Sequence, residues 1–92
     1  MAPFQSVGKR PEKLWEQVKR HPHNVRFNDF CRLIEWFGFV AKGGGGSHRT
    51  YFHPEVREIL DLQPMNGEAK PYQIRQFLRL VERYNLTLED EP

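Results

Sequence analysis

Apolar residues recur along this chain in two rhythms. Phe30, Leu33, Ile34 and Phe37 keep the i, i+3, i+4, i+7 spacing of an amphipathic helix, and so do Ile74, Phe77, Leu78 and Val81. Between them the period shortens. Phe39 to Lys42 is short and apolar, residues 48 to 53 are rich in aromatic and β-branched types, and Glu58 to Gln63 partly alternates. In that last run Leu60 and Leu62 face one way, and Ile59, Asp61 and Gln63 the other.

Punctuating residues set the expected limits. Pro11 opens a short helix over residues 11 to 20, with Leu14, Trp15 and Val18 together, and His21, Pro22 and His23 stop it. Asn28 is the expected cap of the second helix, with Asp29 in its first turn and Gly38 as its stop. Asn66 and Gly67 form a turn, and Pro71 opens a last helix from about 71 to 84. The order is helix, helix, three strands, helix.

Residues 43 to 46 are four consecutive glycines. They fall between the first two strands, so they read as a hairpin loop and not as a linker, since neither half of the chain could fold alone. A second hairpin turn is expected around Pro54 to Val56. Three short strands with so few apolar residues cannot bury both faces. The two longer helices should therefore cover one face, giving an α+β fold laid out like a double-stranded-RNA-binding domain, plus a short N-terminal helix. Trp15, Trp36, Phe37, Phe39 and Phe77 are expected in the core, and one of Tyr51 and Phe52 must face away from it.

Length and composition narrow the class. The 92 residues have room for one domain: a loosely held stretch at 1–10, a single domain at 11–88 and an acidic tail at 89–92. Cys31 is the lone cysteine, so no internal disulfide is possible. The amino terminus has no apolar h-region and no run approaches a membrane span, which points to the cytoplasm. The net charge is +2. Setting aside Glu89, Asp90 and Glu91, fourteen Lys and Arg face nine Asp and Glu, a body charge of +5 that favours an anionic partner.

His21, His23, His48 and His53 lack the cysteine pair or helical spacing of a zinc site, so no metal or other cofactor is expected. His48 and His53 are five residues apart on one strand, about 16 Å. The odd spacing puts them on opposite faces, so they should not act on one phosphate. Arg75, Arg79 and Arg83 form a stripe at spacing four, readable as a phosphate groove, a docking surface for an acidic protein, or a solvated helix face. Lys70 with the last helix's N-terminus is a further anion-site candidate. By themselves the glycines read as simple loop closure, and His48 as an exposed strand histidine.

The segments FNDFCRLIEWFGF, GSHRTYFHP and LDLQPMNGEAKPYQIRQFLRLVERYNL change that weighting, because together they resemble the HicA family of bacterial toxins. The resemblance runs in consistent order over about residues 11 to 86. It implies a double-stranded-RNA-binding-like fold, a metal-independent endoribonuclease that cleaves mRNA and stops translation, and a HicB-like antitoxin partner. The family's catalytic histidine falls on His48, preceded by Gly46 and Ser47. A basic residue often precedes that glycine, whereas here Gly45 stands there, so backbone contact with RNA is expected from Lys42 or Arg49, with Lys70 and Arg75 as further candidates. A second histidine that many members carry after the third strand is replaced by Pro64, Met65, Asn66 and Gly67. The alternative reading is a non-catalytic RNA-binding module on the same fold.

Overall fold

The structure is a computed structural model and describes residues 10–43 and 45–89. The expected loose start and acidic tail therefore lie outside the described residues, except for Arg10 and Glu89. The elements are α1 (Pro11–Arg20), α2 (Phe27–Trp36), β1 (Val40–Ala41), β2 (Arg49–His53), β3 (Val56–Leu62) and α3 (Pro71–Tyr84). The fold is α+β, with a three-stranded antiparallel sheet in the order β1-β2-β3.

Strand alternation separates two faces. Tyr51, Leu60 and Leu62 are fully buried under the helices, whereas Val40, Phe52 and Ile59 are 50%, 37% and 45% exposed on the other side. Of the pair Tyr51 and Phe52, then, it is Tyr51 that turns inward. The ladder shifts between Tyr51, which pairs with Leu60, and His53, which pairs with Val56. Arg57, Glu58 and Ile59 thus face Phe52 alone, and this irregularity turns Glu58 towards α3. There Tyr84 donates its hydroxyl proton to Glu58 Oε1 at 2.7 Å.

Phe77 of α3 is the hub of the core. Its ring meets Phe30, Phe37, Phe39 and Trp15 edge-to-face at 5.7, 5.3, 6.0 and 6.2 Å. Such pairs add about 0.5–1.5 kcal/mol each beyond burial. Leu14 and Val18 of α1 are buried, and Trp15 meets Phe37 at 4.8 Å, so α1 packs on the helical layer and not on the sheet. Trp36, expected in the core, is only partly buried and lies outside the buried cluster. Its carbonyl instead accepts the Glu89 N–H at 2.8 Å.

Several limits move. α2 begins at Phe27 rather than after an Asn28 cap: Arg26 is the N-cap residue, in extended conformation, with no side-chain cap. The cause is tertiary. Phe27 is buried and donates its N–H to Gly67 O at 3.0 Å, and Ala69 donates to Val25 O at 2.8 Å, so the two loops pair before the helix starts. Pairing with β2 extends β3 back to Val56, ahead of its alternating run. The Asn66-Gly67 turn forms as expected: both residues have positive φ (54° and 79°), and Met65 and Glu68 exchange both backbone hydrogen bonds, the pattern of a two-residue hairpin.

Candidate functional site

The β1–β2 connection carries the Gly-Ser-His segment. Lys42 N–H donates to Thr50 O at 2.6 Å at the base of the loop, and His48 N–H donates to Gly45 O at 3.0 Å, closing a turn through Gly46 and Ser47. Gly46 holds φ at +61°, a value that L side chains adopt only with strain. Space is not the constraint here, because a Cβ at Gly45 or Gly46 would meet no atom within 4 Å. Gly45 lacks the positive φ as well, so its lack of a side chain answers no demand of the fold.

His48 sits directly before β2 and is exposed. Among the described residues its imidazole has no hydrogen-bond or ion-pair partner, so both ring nitrogens are open to a ligand. Continuing the β2–β3 register one step past Arg49–Leu62 places Gln63 across from His48. Ser47 and Lys42 are exposed on the same loop. His53 shares none of this setting: it is buried against Phe39 at 5.0 Å, and its Nδ1 accepts the Glu55 N–H at 3.0 Å. The two histidines therefore occupy different environments, as their spacing requires.

Arg49 is exposed, but it belongs to the face that Tyr51 occupies. Tyr51 donates to Glu35 Oε2 at 2.6 Å, and Arg49 lies beside the same hydroxyl. Burial, and then the Glu35 acceptor, push the Tyr51 phenol well above its ordinary range, while burial keeps the Cys31 thiol up as well. Both groups are thus neutral hydrogen-bonding parts of the scaffold and not nucleophiles. The Arg49 guanidinium is in this way linked through Tyr51 to α2, a relationship that the strand pattern did not reveal.

The N-terminus of α3 comes to the same end of the sheet. Gln73 is buried, and its side-chain amide pairs with the outer edge of β3: Gln63 N–H donates to Oε1 at 3.3 Å, and Nε2 donates to Asp61 O at 3.3 Å. The side chain thus takes the place of a peptide group in an absent fourth strand. Lys70 is the N-cap residue, and Arg75 is exposed on the first turns. Pro71 has no N–H, and Gln73 N–H turns back to Lys70 O at 2.9 Å, so the helix end offers fewer amides than an ordinary one. The arginine stripe is split. Arg83 pairs with Glu58 at 3.4 Å, whereas Arg75 and Arg79 make no ion pair among the described residues.

The structure thus gathers Lys42, Gly46, Ser47, His48 and Arg49 on one loop and strand start, and Gln63 with Gln73 ties α3 beside them. Lys70 and Arg75 lie on that neighbouring helix end. No group of three His, Cys, Asp or Glu residues stands as a metal-ligand set among the described residues. No described helix is long and apolar enough to cross a membrane.

The fold and this loop define a small α+β protein that carries an exposed glycine–serine–histidine turn at one end of its sheet. The family profile for the HicA toxin of bacterial toxin–antitoxin systems matches residues 27–82, more than half of the chain. The protein belongs to the HicA toxin family, and membership implies an antitoxin partner. No curated protein and no solved structure was found to match the chain.

Proposed function

We propose that this protein is an mRNA-cleaving endoribonuclease, with His48 as the group that moves the proton at the scissile phosphate. The observation that carries the reading is the unpartnered imidazole of His48 at the mouth of the glycine loop, in a chain of the HicA family. RNA supplies its own nucleophile. The 2′-oxygen forms a bond to phosphorus, the bond to the 5′-oxygen breaks, and the products are a 2′,3′-cyclic phosphate and a free 5′-hydroxyl. One proton leaves the 2′-hydroxyl and one reaches the 5′-oxygen. An imidazole is suited to either transfer near neutral pH.

Charge on the phosphorane is met by the loop. Backbone N–H groups without side chains around them approach a phosphate closely, and the Ser47 hydroxyl adds a donor. Lys42 and Arg49 supply positive charge on either side of His48, and Lys70 and Arg75 extend it towards α3. The layout of helices over one face of a three-stranded sheet supports reading the fold as double-stranded-RNA-binding-domain-like. The partner in this reading is a HicB-like antitoxin acting in the cytoplasm.

The test is cleavage of labelled RNA by the purified protein and by His48→Ala. Wild type should cut, and His48→Ala should lose at least about 100-fold in rate while still binding RNA. Cutting by His48→Ala at the wild-type rate sinks the assignment. Binding without cutting by wild type identifies a non-catalytic RNA-binding module, a reading that the absence of a basic residue at Gly45 keeps in view.

A further inference from the structure

Within the KPYQIRQ segment, Gln73 and Ile74 are buried and Lys70 stands at the N-cap position without a side-chain cap, whereas Tyr72 points outward with no packing role. Tyr72 is 57% exposed, makes no ring contact among the described residues, and touches its neighbours through one weak polar contact: Gln73 Nε2 lies 3.4 Å from its hydroxyl.

Its position is defined by the chain of contacts around it. The Gln73 amide that reaches the Tyr72 hydroxyl also holds Gln63, which follows the last residue of β3, while His48 precedes the first residue of β2, and those two end residues, Leu62 and Arg49, pair. Tyr72 and His48 are therefore at the same end of the sheet, separated by the end of β3 and the Gln73 side chain. Arg75 lies at i+3 from Tyr72, on the same side of α3, and no acidic residue occurs between Lys70 and Leu80. An exposed aromatic ring on a helix segment that carries cations without ion-pair partners among the described residues matches a nucleotide: a base to stack on the ring and a phosphate for the cation.

We infer that Tyr72 is a base-stacking residue of the RNA site, holding an unpaired base of single-stranded RNA next to the bond that His48 cleaves. The inference rests on the ribonuclease reading and adds the class of RNA and the residue that grips it. Stacking on an aromatic face accepts any base, so Tyr72 raises affinity for single strands without imposing a sequence.

The experiment compares Tyr72, Tyr72→Phe and Tyr72→Leu in the His48→Ala protein, so that a short labelled single-stranded RNA of mixed sequence is bound and not cut. Tyr72→Leu should weaken binding about tenfold or more and Tyr72→Phe should not, since the ring is what stacks. A duplex of the same sequence should show no difference among the three, because its bases are already stacked. All three should melt together, the side chain being exposed.

Equal binding of single-stranded RNA by Tyr72→Leu and Tyr72 overturns the inference, as does an equal loss on the duplex. Unchanged RNA binding with weaker binding of the cognate antitoxin makes Tyr72 a protein-docking residue and overturns it too. These outcomes are separable from failure of the ribonuclease reading, which is judged by cleavage with His48 intact.

Discussion

The Tyr51 hydroxyl lies 2.6 Å from Glu35 Oε2, tying the middle of β2 to the last turns of α2. Three residues upstream of Tyr51 is His48, so this bond fixes the strand from which the candidate catalytic loop departs. Tyr51→Phe keeps the buried ring and removes the bond. It should destabilise the protein by about 1 kcal/mol, below the usual range for a charged acceptor because Glu35 is exposed. Urea denaturation of Tyr51→Phe, Glu35→Gln and the double variant checks this, and the double variant should cost no more than the single ones.

Adjacent glycines in the loop should respond in opposite ways. Gly46→Ala places a Cβ on a residue at φ +61° and should cost about 1 kcal/mol in thermal unfolding. Gly45→Lys meets open space at an ordinary φ and should leave the melting temperature unchanged. It should also strengthen RNA retention by restoring a cation before Gly46, measured as retention on RNA at fixed salt.

Gln73 pins the free edge of β3 through two backbone contacts while itself buried. Gln73→Leu leaves Asp61 O and Gln63 N–H without those partners. A loss of about 1–3 kcal/mol in denaturant unfolding is expected. An unpaired edge also invites strand pairing between molecules, so gel filtration should show self-association that wild type lacks.

The arginines of α3 should separate by role. Arg75→Ala should lower RNA affinity and flatten its salt dependence, while Arg83→Ala, which removes the contact with Glu58, should leave both almost unchanged. Titrating binding against salt concentration for the two variants distinguishes them. Equal slopes would show that the stripe acts as a unit.

Glu58 carries a pH signature. The Tyr84 hydroxyl, with smaller help from its own backbone and from Arg83, holds its carboxyl below the ordinary value of 4.5. A depressed folded-state value means that the stabilisation is present above the usual carboxylate range and disappears as acid protonates the folded protein. Wild type should therefore lose stability below about pH 4.5 more steeply than Glu58→Gln, which thermal melts across the acid range would record.

Local chemistry was enough for much of this molecule. The 3.6 spacing of Ile74, Phe77 and Val81 with Pro71 at the start yields α3 as observed, and alternation in β3 sends Leu60 and Leu62 inward. The glycine run was legible as a hairpin loop from its place between two strands, and the family motif pointed to His48. Periodicity and turn chemistry act over a few residues, so they can be read along a single chain.

What the sequence did not disclose depends on partners distant along the chain. Asn28 has the chemistry of a cap, yet α2 starts at Phe27 because Gly67, from another loop, accepts its N–H. Arg83 reads as one of three equivalent arginines until β3 brings Glu58 to it. Arg49 beside Tyr51 and Glu35, and Tyr72 on the far side of Gln73 from Gln63, follow from how α2 and α3 dock on the sheet. The sequence by itself determined the elements, their order and the candidate histidine. Only the packing of helices on the sheet decided which charges are occupied and which side chains stand next to the loop, because those contacts form between segments with no local signal for one another.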